Sequence, residues 1–505
     1  MTERALDLLR RQPHLAELAA YPFAFDLRRA DHVEKVRLAS GAAPLEPIAG
    51  DDTGATYFVC PDGAVLYASS DGMAGLVGVG VEEALDVLTG LPHWQNYVGL
   101  SPDDGEERIL AEIEDTESWI RETYGSELDA DRAYLRTALG LPERSPVELV
   151  ALLYDALLRT EPDHLLLNAE EGLAYMPLAP HPSTPLRDVV LATGRTDLYV
   201  MRADRAAWEE VTSEPVRVAT VLRAAQYDRR PGDLPVLRCL LRHQAAIAGT
   251  DVGGGEELRL AAFLVARHGL AEDLPLLHAA REASAYTLSE PLPQPAAATG
   301  WAHGPDDDRF GREPVDEPEF TWIRLGRRQG RTEHVRVALI RMLDDTGPDA
   351  ERLGALSREL ELLGDFGQAA RAQRNVVSLQ VTMWDRAAAG HTLARLERRS
   401  GDLTAAWRAL GRVRVALGLD APATAAVEPA ADTTAAQWHR RGLGRMIAEE
   451  HLRLVLGAVE SGDAGLARQA MACSKSLLQL IGEESRKRIS PLSTEAKWAV
   501  ARLKK

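Results

Sequence analysis

The sequence has few of the residues that form disulfide frameworks or membrane spans. Its 505 residues include three cysteines, Cys60, Cys239 and Cys473, which are far apart and odd in number. This pattern predicts reduced thiols and no cysteine-pair metal site. No window approaches the roughly 18 apolar residues of a transmembrane helix, and the N-terminus lacks the apolar run of a signal peptide. We therefore expect a cytoplasmic protein with no membrane partner.

Positive charge is missing from one long stretch. Residues 51–100 contain no Lys or Arg, and residues 51–150 contain 21 acidic residues against five arginines, in a chain of net charge −18. Because such a region repels phosphate backbones, we expect no nucleic-acid partner. The acidity would attract a basic protein, although it would also serve solubility alone.

The common enzymatic motifs are missing too. The chain has no glycine-rich loop ending in Lys-Ser or Lys-Thr, no His-Glu-x-x-His motif and no nucleophile elbow. Gly78-Val79-Gly80 lacks the third glycine of a dinucleotide loop, and Asp306-Asp307-Asp308 lacks the ligand spacing of a calcium loop. The sequence therefore predicts a protein without catalysis, cofactor or metal.

Strand signals are concentrated near the N-terminus. The segments 55–60, 64–67 and 76–79 are rich in β-branched and aromatic residues and are separated by glycine-containing turns. A helix with one apolar face follows over 81–91, and a second acidic helix is predicted over 107–124. We expect residues 1–140 to form a small acidic α+β domain containing an antiparallel three-stranded meander.

Helical patterns dominate after residue 145, where Ser145-Pro146-Val147-Glu148 has the form of a capping box. Asp233-Leu234-Pro235 recurs as Asp273-Leu274-Pro275, and Asp197-Leu198-Tyr199-Val200 is either a degenerate earlier copy or a strand. A period near 40 with two helices per unit is typical of HEAT repeats. The sequence therefore predicts HEAT-like repeats over 145–290.

A Pro-, Gly- and Asp-rich segment over 291–320 predicts a linker or an exposed loop. Beyond it, similar turns recur at Gly330, Gly364-Asp365, Gly401-Asp402 and Gly462-Asp463, which resembles tetratricopeptide repeats. Helical hairpins of this type must stack to bury their apolar faces. The predicted fold is therefore multidomain: a small α+β N-terminal domain followed by a mainly α-helical repeat body, or α-solenoid, with tetratricopeptide-like repeats over 321–505.

Candidate binding residues follow from charge and aromatic character. Trp94 and Tyr97, beside the acidic helix, have the composition of a protein-binding hot spot, although Trp94 would equally fill the domain core. The candidate partner-binding residues are Asp51, Asp52, Glu82, Glu83, Asp86, Trp94, Tyr97, Asp103, Asp104, Glu106 and Glu107.

The segment from 44 to 97 contains Ile48-Ala49-Gly50-Asp51-Asp52-Thr53-Gly54, the Tyr57-Phe58 and Val65-Leu66-Tyr67 strands, and an acidic helix ending in Leu91-Pro92. In these features it resembles the core of the SUKH superfamily. The resemblance implies an α+β domain without catalysis. Many bacterial members of this superfamily are immunity proteins that bind and block a toxin, often a nuclease, and others are adaptor-like domains.

Two functions follow from these observations. In the first, the acidic N-terminal domain binds a protein, in its sharpest form a basic toxin that it neutralises. In the second, the chain is a regulatory scaffold or adaptor that holds a peptide or a protein in the groove of its helical repeats. An enzyme without a recognisable motif is the third alternative.

Overall fold

The computed structural model describes residues 4–42, 44–124, 127–179, 185–248, 255–284, 305–419, 437–439 and 442–503. The chain divides into two compact units, one formed by Met1–His181 with Leu339–Lys505 and the other by Pro182–Ala338. The first unit thus combines the N-terminal region with most of the C-terminal repeats. This grouping differs from the predicted series of domains 1–140, 145–290 and 321–505.

The described residues up to 179, which we call the head, form an α+β region. Its helices and strands are α1 (Arg4–Arg11), α2 (Pro13–Ala20), β1 (Val36–Leu38), β2 (Glu46–Gly50), β3 (Thr56–Val59), β4 (Val65–Ala68), β5 (Met73–Gly78), α3 (Val81–Gly90), α4 (Glu106–Tyr124), α5 (Leu128–Leu139), α6 (Pro146–Leu158), β6 (Leu166–Asn168) and β7 (Met176–Pro177).

The main sheet of the head has the strand order β2-β3-β4-β5-β7, and β1 pairs with β6 in a second, two-stranded sheet. The pairs β2–β3, β3–β4 and β4–β5 are antiparallel, whereas β5 and β7 are parallel. The predicted meander is therefore confirmed as β3, β4 and β5. Tyr57 pairs with Tyr67 and Phe58 with Leu66, so alternate residues reach opposite faces. Both faces are buried, each in its own apolar cluster.

Helix α6 belongs to the head. Leu149 and Leu153 lie in the same buried cluster as Leu6 of α1 and Tyr57 of β3. Because this apolar face is covered by the head and not by a following repeat, the boundary predicted near 140 does not separate two domains. A truncation there would remove part of the head's core.

The head also contacts the C-terminal repeats of its own unit. The main-chain oxygen of Gly172 accepts hydrogen bonds from Gln368 Nε2 at 2.7 Å and from Arg371 Nη1 at 3.1 Å. The amide of Ala174 donates to Asp344 Oδ2 at 3.2 Å. These polar contacts join segments that are about 200 residues apart in the sequence, which no local pattern predicts.

The second unit is helical and includes most of the segment over which HEAT-like repeats were predicted. Its helices are α7 (Leu186–Ala203), α8 (Ala207–Thr212), α9 (Pro215–Tyr227), α10 (Leu234–Ile247), α11 (Gly255–Ala266), α12 (Leu274–Ser284), α13 (Pro305–Phe310) and α14 (Thr321–Arg328), and the division between the units falls within α15 (Thr332–Asp344).

The recurring aspartates of this unit have the same role in both clear copies. Asp233 and Asp273 are buried at the start of α10 and α12. Arg202 donates Nε and Nη2 to Asp233, each at 2.7 Å, and Arg238 makes the equivalent pair with Asp273 at 2.5 and 3.0 Å. The suspected third copy differs, because Asp197 lies inside α7.

The structure describes only part of the segment predicted as a linker or exposed loop over 291–320. Residues 291–304 lie outside the described residues, but 305–310 form α13. Phe310 is buried with Phe263 in the core of the second unit, and Asp306 pairs with Arg259 Nε at 2.7 Å. The end of the predicted linker therefore packs as part of a folded unit.

The C-terminal repeats are helical hairpins, as predicted. Their helices are α16 (Ala350–Leu363), α17 (Phe366–Leu379), α18 (Met383–Arg399), α19 (Leu403–Ala416), α20 (Gly442–Glu460), α21 (Ala464–Leu480) and α22 (Glu483–Arg502).

The recurring Gly-Asp turn has a physical role in each hairpin. At the first, Gly364 has a φ of +86°, and the amides of Gly364 and Asp365 donate to Glu361 O and Leu360 O, both at 3.0 Å. This is a Schellman motif. The Asp365 side chain then accepts from the amide of Gln368 and caps the next helix. The same arrangement recurs at Gly401-Asp402 and Gly462-Asp463.

The predicted fold class is confirmed: a small α+β N-terminal region precedes a mainly helical repeat body. The apolar faces of these helices pack against one another, as repeat hairpins require. Among the described helices, none combines the length and the apolar character that a membrane crossing requires.

Candidate protein-binding surfaces

The two aromatic residues predicted as surface anchors lie inside the head. Trp94 and Tyr97 are fully buried. The Trp94 Nε1–H donates to the Tyr57 hydroxyl at 3.0 Å, and the Trp94 ring lies edge-on to Tyr67 with centroids 4.9 Å apart. The surface position predicted for Tyr97 is therefore wrong, and for Trp94 the alternative that it fills the domain core holds, because large apolar rings gain more by filling this core than by facing water.

Asp51 is also buried, and it holds the turn between β2 and β3. Its Oδ1 accepts hydrogen bonds from the amides of Thr53 and Ala55 at 2.9 and 3.1 Å, and its Oδ2 accepts from the Tyr67 hydroxyl at 2.8 Å. A carboxylate with this many donors fixes the local backbone. Asp51 therefore has a structural position and does not face a partner.

Asp86, a candidate partner-binding residue, does not face solvent. It is buried on α3, where its two oxygens accept from Arg136 Nη2 at 2.8 Å and from Arg144 Nε at 2.9 Å. Burial raises the pKa of Asp86 above its usual value, although both arginines oppose this effect. The residue joins α3 to α5 and to the loop that follows α5.

The other acidic candidates are at least partly accessible. Glu83 and Asp104 are half-buried and accept local amide hydrogen bonds, from Val79 at 3.1 Å and from Ser101 at 2.7 Å. Charge-assisted bonds of this kind satisfy the free amides at helix starts. The fully exposed candidates are Asp52, Glu82, Asp103, Glu106 and Glu107.

Helix α4 presents an exposed tryptophan, Trp119. Trp119 is 48% exposed and lies edge-on to His93, with ring centroids 5.4 Å apart. The buried face of α4 carries Ile109, Ile113 and Ile120, and Trp119 lies about 100° from Ile120 around the helix. A helical wheel drawn on the isoleucines would have shown its exposure.

Acidic side chains surround this tryptophan. Glu112, Asp115 and Glu122 are exposed and lie within about 60° of Trp119 around α4. We call Glu112, Asp115, Trp119 and Glu122 together the acidic stripe. An exposed aromatic ring among carboxylates matches a basic partner, because a guanidinium can contact the ring face and the charges together.

A second surface is a cleft between the C-terminal helices, which we call the repeat groove. It has a volume of about 680 Å³, and its walls come from α17, α18 and α19. Its lining is largely apolar, and two of its side chains, Met383 and Val415, are 37% and 65% exposed. The lining residues are Val377, Met383, Arg386, Gly390, Leu393, Arg408, Ala409, Gly411, Arg412, Val413, Val415 and Ala416.

Three exposed arginines lie at the rim of the repeat groove. Arg386 donates to Gln380 O at 3.1 Å, and Arg408 has a long contact of 3.5 Å with Thr404 O. Within the part of the chain that the structure describes, no carboxylate pairs with Arg386, Arg408 or Arg412. The groove therefore combines an apolar floor with three arginines that no described carboxylate pairs with.

The second unit contains a polar cavity of about 640 Å³. Burial, reinforced by the charges of Arg267 and Arg312, lowers the pKa of the Arg229 guanidinium to about 10. Four basic and four acidic residues line the cavity, so their formal charges cancel: Arg229, Arg230, Arg267, Arg312, Asp233, Asp307, Asp308 and Glu313. This balance gives the cavity less preference for a ligand of either charge than the repeat groove has.

Comparisons with known proteins add little to this picture. No known protein family matches the sequence, and no curated protein matches it. One solved structure, described as "Crystal structure of APC/C hetero-tetramer Cut9-Hcn1", aligns with 82% of this chain and 62% of its own, at 13% identity and a TM-score of 0.21. This chain thus spans less than two thirds of that chain's length.

Proposed function

We propose that this protein is a non-catalytic scaffold or adaptor, and that it binds an acidic, apolar-containing segment of a partner protein in the repeat groove. The observation that carries this proposal is the arginine rim around an apolar floor. Arg386, Arg408 and Arg412 are exposed and lack carboxylate partners among the described residues. A partner segment with Asp or Glu beside apolar residues matches both features.

The two parts of the groove would contribute differently to binding. Covering an exposed apolar side chain such as Met383 or Val415 stabilises a complex by roughly 1–2 kcal/mol, since each is already partly buried. The rim arginines would mainly raise the association rate and select acidic partners. Salt screens exposed charges of this kind and so weakens their contribution. We therefore expect affinity to depend moderately, and not steeply, on ionic strength.

The test is selection from a random peptide library displayed on phage, with the full-length chain as bait. We expect enrichment of peptides that combine Asp or Glu with apolar residues. Synthetic copies of these peptides should bind at least ~10-fold more weakly to the Arg386→Glu, Arg412→Glu double variant, since each lost rim contact contributes about 1 kcal/mol.

A matched control is Arg468→Glu with Arg486→Glu, which reverses two exposed arginines on α21 and α22. This control has the same net charge as the groove variant but leaves the groove unchanged, so it should bind as the unmodified chain does. Selected peptides without acidic residues, or equal loss of binding in both double variants, would show that the groove is not the binding site.

A second candidate function belongs to the head, and the acidic stripe supports it. The stripe would bind a basic partner, in its sharpest form a toxin, as the resemblance to the SUKH superfamily implies. The SUKH identity and the toxin both remain predictions. Here the same library should yield Lys- and Arg-rich peptides whose affinity falls steeply with salt.

The variant that tests the stripe is Trp119→Ala with Asp115→Lys, and Glu82→Lys tests the exposed part of α3. If the head binds a basic partner through the stripe, the first variant should lose those peptides and retain the peptides of the repeat groove. Retention of basic peptides by both variants would remove support for the head as a recognition site. Capture of a toxin from native cells is required in addition for the immunity function.

A further inference from the structure

Three side chains with different metal-binding atoms meet beside the main sheet of the head. Cys60 ends the segment that continues β3, Asp62 lies in the turn to β4, and His164 follows α6. One ligand atom from each residue, a sulfur, an oxygen and a nitrogen, lies within 4.8 Å of the other two. No metal was predicted from the sequence, which shows no cysteine pair and no motif with metal-ligand spacing.

The local backbone holds these groups in place. The amide of Cys60 donates to Ala64 O at 2.8 Å, and the amide of Gly63 donates to Cys60 O at 2.9 Å. The amide of Ala64 donates a hydrogen bond to Asp62 Oδ1 at 3.2 Å, and the other oxygen, Oδ2, lies 2.9 Å from His164 Nε2. Two of the ligands therefore come from one tight turn, and the third meets them from another element.

We propose that Cys60, Asp62 and His164 bind a thiophilic divalent cation, with Zn²⁺ as the best match. Zinc takes thiolate, imidazole and carboxylate ligands at about 2.0–2.3 Å. Tetrahedral geometry at these lengths sets the ligand atoms roughly 3–4 Å apart, so the observed cluster needs only small movements. Asp62 is exposed, which gives the ion an entry path and leaves a fourth position for water.

The surroundings of His164 favour metal binding through Nε2. Its Nδ1 lies 3.4 Å from Arg159 O. A hydrogen bond from Nδ1–H to a carbonyl oxygen is common among zinc-binding histidines and leaves Nε2 as the ligand atom. Without a cation, the contact of 2.9 Å between Nε2 and Asp62 Oδ2 needs a proton between the two atoms. On binding, Nε2 would release that proton and coordinate the cation, while Asp62 would keep an oxygen for the same ion.

Binding also requires the thiol of Cys60 to lose its proton. Cys60 is buried, and burial together with Asp62 raises the pKa of its thiol to about 12. Without a cation the sulfur is therefore protonated at neutral pH. Coordination forms the sulfur–metal bond, breaks the S–H bond and releases that proton to solvent.

The experiment uses Co²⁺ as a spectroscopic substitute for zinc. Metal-stripped, reduced, full-length protein is titrated with Co²⁺ while its absorption is recorded. We expect one equivalent to produce the near-ultraviolet thiolate-to-cobalt charge-transfer band and the visible bands of tetrahedral Co²⁺. Zn²⁺ added afterwards should remove both signals, since zinc competes for the same ligands.

The three cysteines provide matched controls. Cys60→Ala should abolish the charge-transfer band, whereas Cys239→Ala and Cys473→Ala should leave it unchanged. His164→Gln and Asp62→Asn should weaken binding by more than the ~10–100-fold that loss of an outer-shell hydrogen bond costs. Circular dichroism of each variant checks that it is folded.

Two results would overturn the proposal. One is a folded, unmodified chain that binds no Co²⁺ with thiolate character. The other is a charge-transfer band that persists in Cys60→Ala and disappears in Cys239→Ala or Cys473→Ala. In the first case the contact between Asp62 and His164 is an ion pair only.

Discussion

Two glycines on the same helix should respond in opposite directions to the same substitution. Gly354 lies inside α16, and Gly364 ends it with a φ of +86°. An added methyl group at Gly364 would meet no atom within 4 Å, and at Gly354 only Arg358 Nη1 lies within that range, at 3.7 Å. Steric collision therefore plays no part in either variant, and backbone conformation decides both.

The magnitudes follow from backbone conformation. Alanine in the left-handed region costs roughly 1–2 kcal/mol, so Gly364→Ala should lower the free energy of unfolding by that amount. Alanine inside a helix is about 0.8–1 kcal/mol better than glycine, so Gly354→Ala should raise it. Both changes restrict the unfolded chain equally. The two variants should therefore differ by about 2–3 kcal/mol.

Amide hydrogen exchange, followed by mass spectrometry of peptides from α16 and α17, measures this difference in the full-length chain. About 1.4 kcal/mol corresponds to a factor of ten. Amides that exchange through unfolding of the whole hairpin should therefore exchange about 30- to 150-fold faster in Gly364→Ala than in Gly354→Ala. If both variants shifted in the same direction, or if Gly364→Ala matched the unmodified chain, the Schellman motif would not determine hairpin stability.

Four further substitutions test the positions of individual side chains. Asp86→Asn should lower the free energy of unfolding by roughly 3 kcal/mol, because it leaves Arg136 without its buried partner; urea denaturation measures this, and a change below about 0.5 kcal/mol would place Asp86 on the surface instead. Trp94→Ala should lower the free energy of unfolding by roughly 3–5 kcal/mol, and Trp119→Ala by less than about 1 kcal/mol. Equal urea midpoints for these two variants would contradict the assigned burial. Hydrogen bonding from Arg395 lowers the pKa of Glu361. The ionised Glu361 carboxylate therefore stabilises the fold above about pH 4.5, and this stabilisation is lost as the pH falls through the pKa of Glu361 in the folded state. Glu361→Gln should therefore flatten the acid dependence of the urea midpoint, and an unchanged slope would argue against this ion pair.

The sequence predicted local structure well where the signal lies within a few residues. Gly364-Asp365 and its later copies predicted hairpin turns, because a left-handed glycine and a capping carboxylate act on amides three to five positions away. The alternation of Tyr57 and Phe58 predicted a strand for the same local reason. The types of these elements were therefore predictable.

The candidate site was predicted less well, because exposure depends on distant packing. Acidic character suggested that Asp51 and Asp86 face solvent. However, Asp51 is held by its own turn and by Tyr67 of β4, and Asp86 is held by arginines of α5 and of the loop after it. The sequence left two positions open for Trp94, and only the packing of the head decided that its ring is buried. The repeat groove depends on how α17, α18 and α19 pack, and its residues are ordinary helix formers in the sequence.

What the sequence determined by itself was the acidic composition, the α+β start, the helical repeats and their capped turns, because all of these depend on composition or on neighbours along the chain. Only the tertiary structure assigned α6 to the head, joined the head to the C-terminal repeats through Gly172, and brought Cys60, Asp62 and His164 together. The physical reason is that burial and convergence depend on contacts between residues far apart in sequence, whose identity no local pattern records.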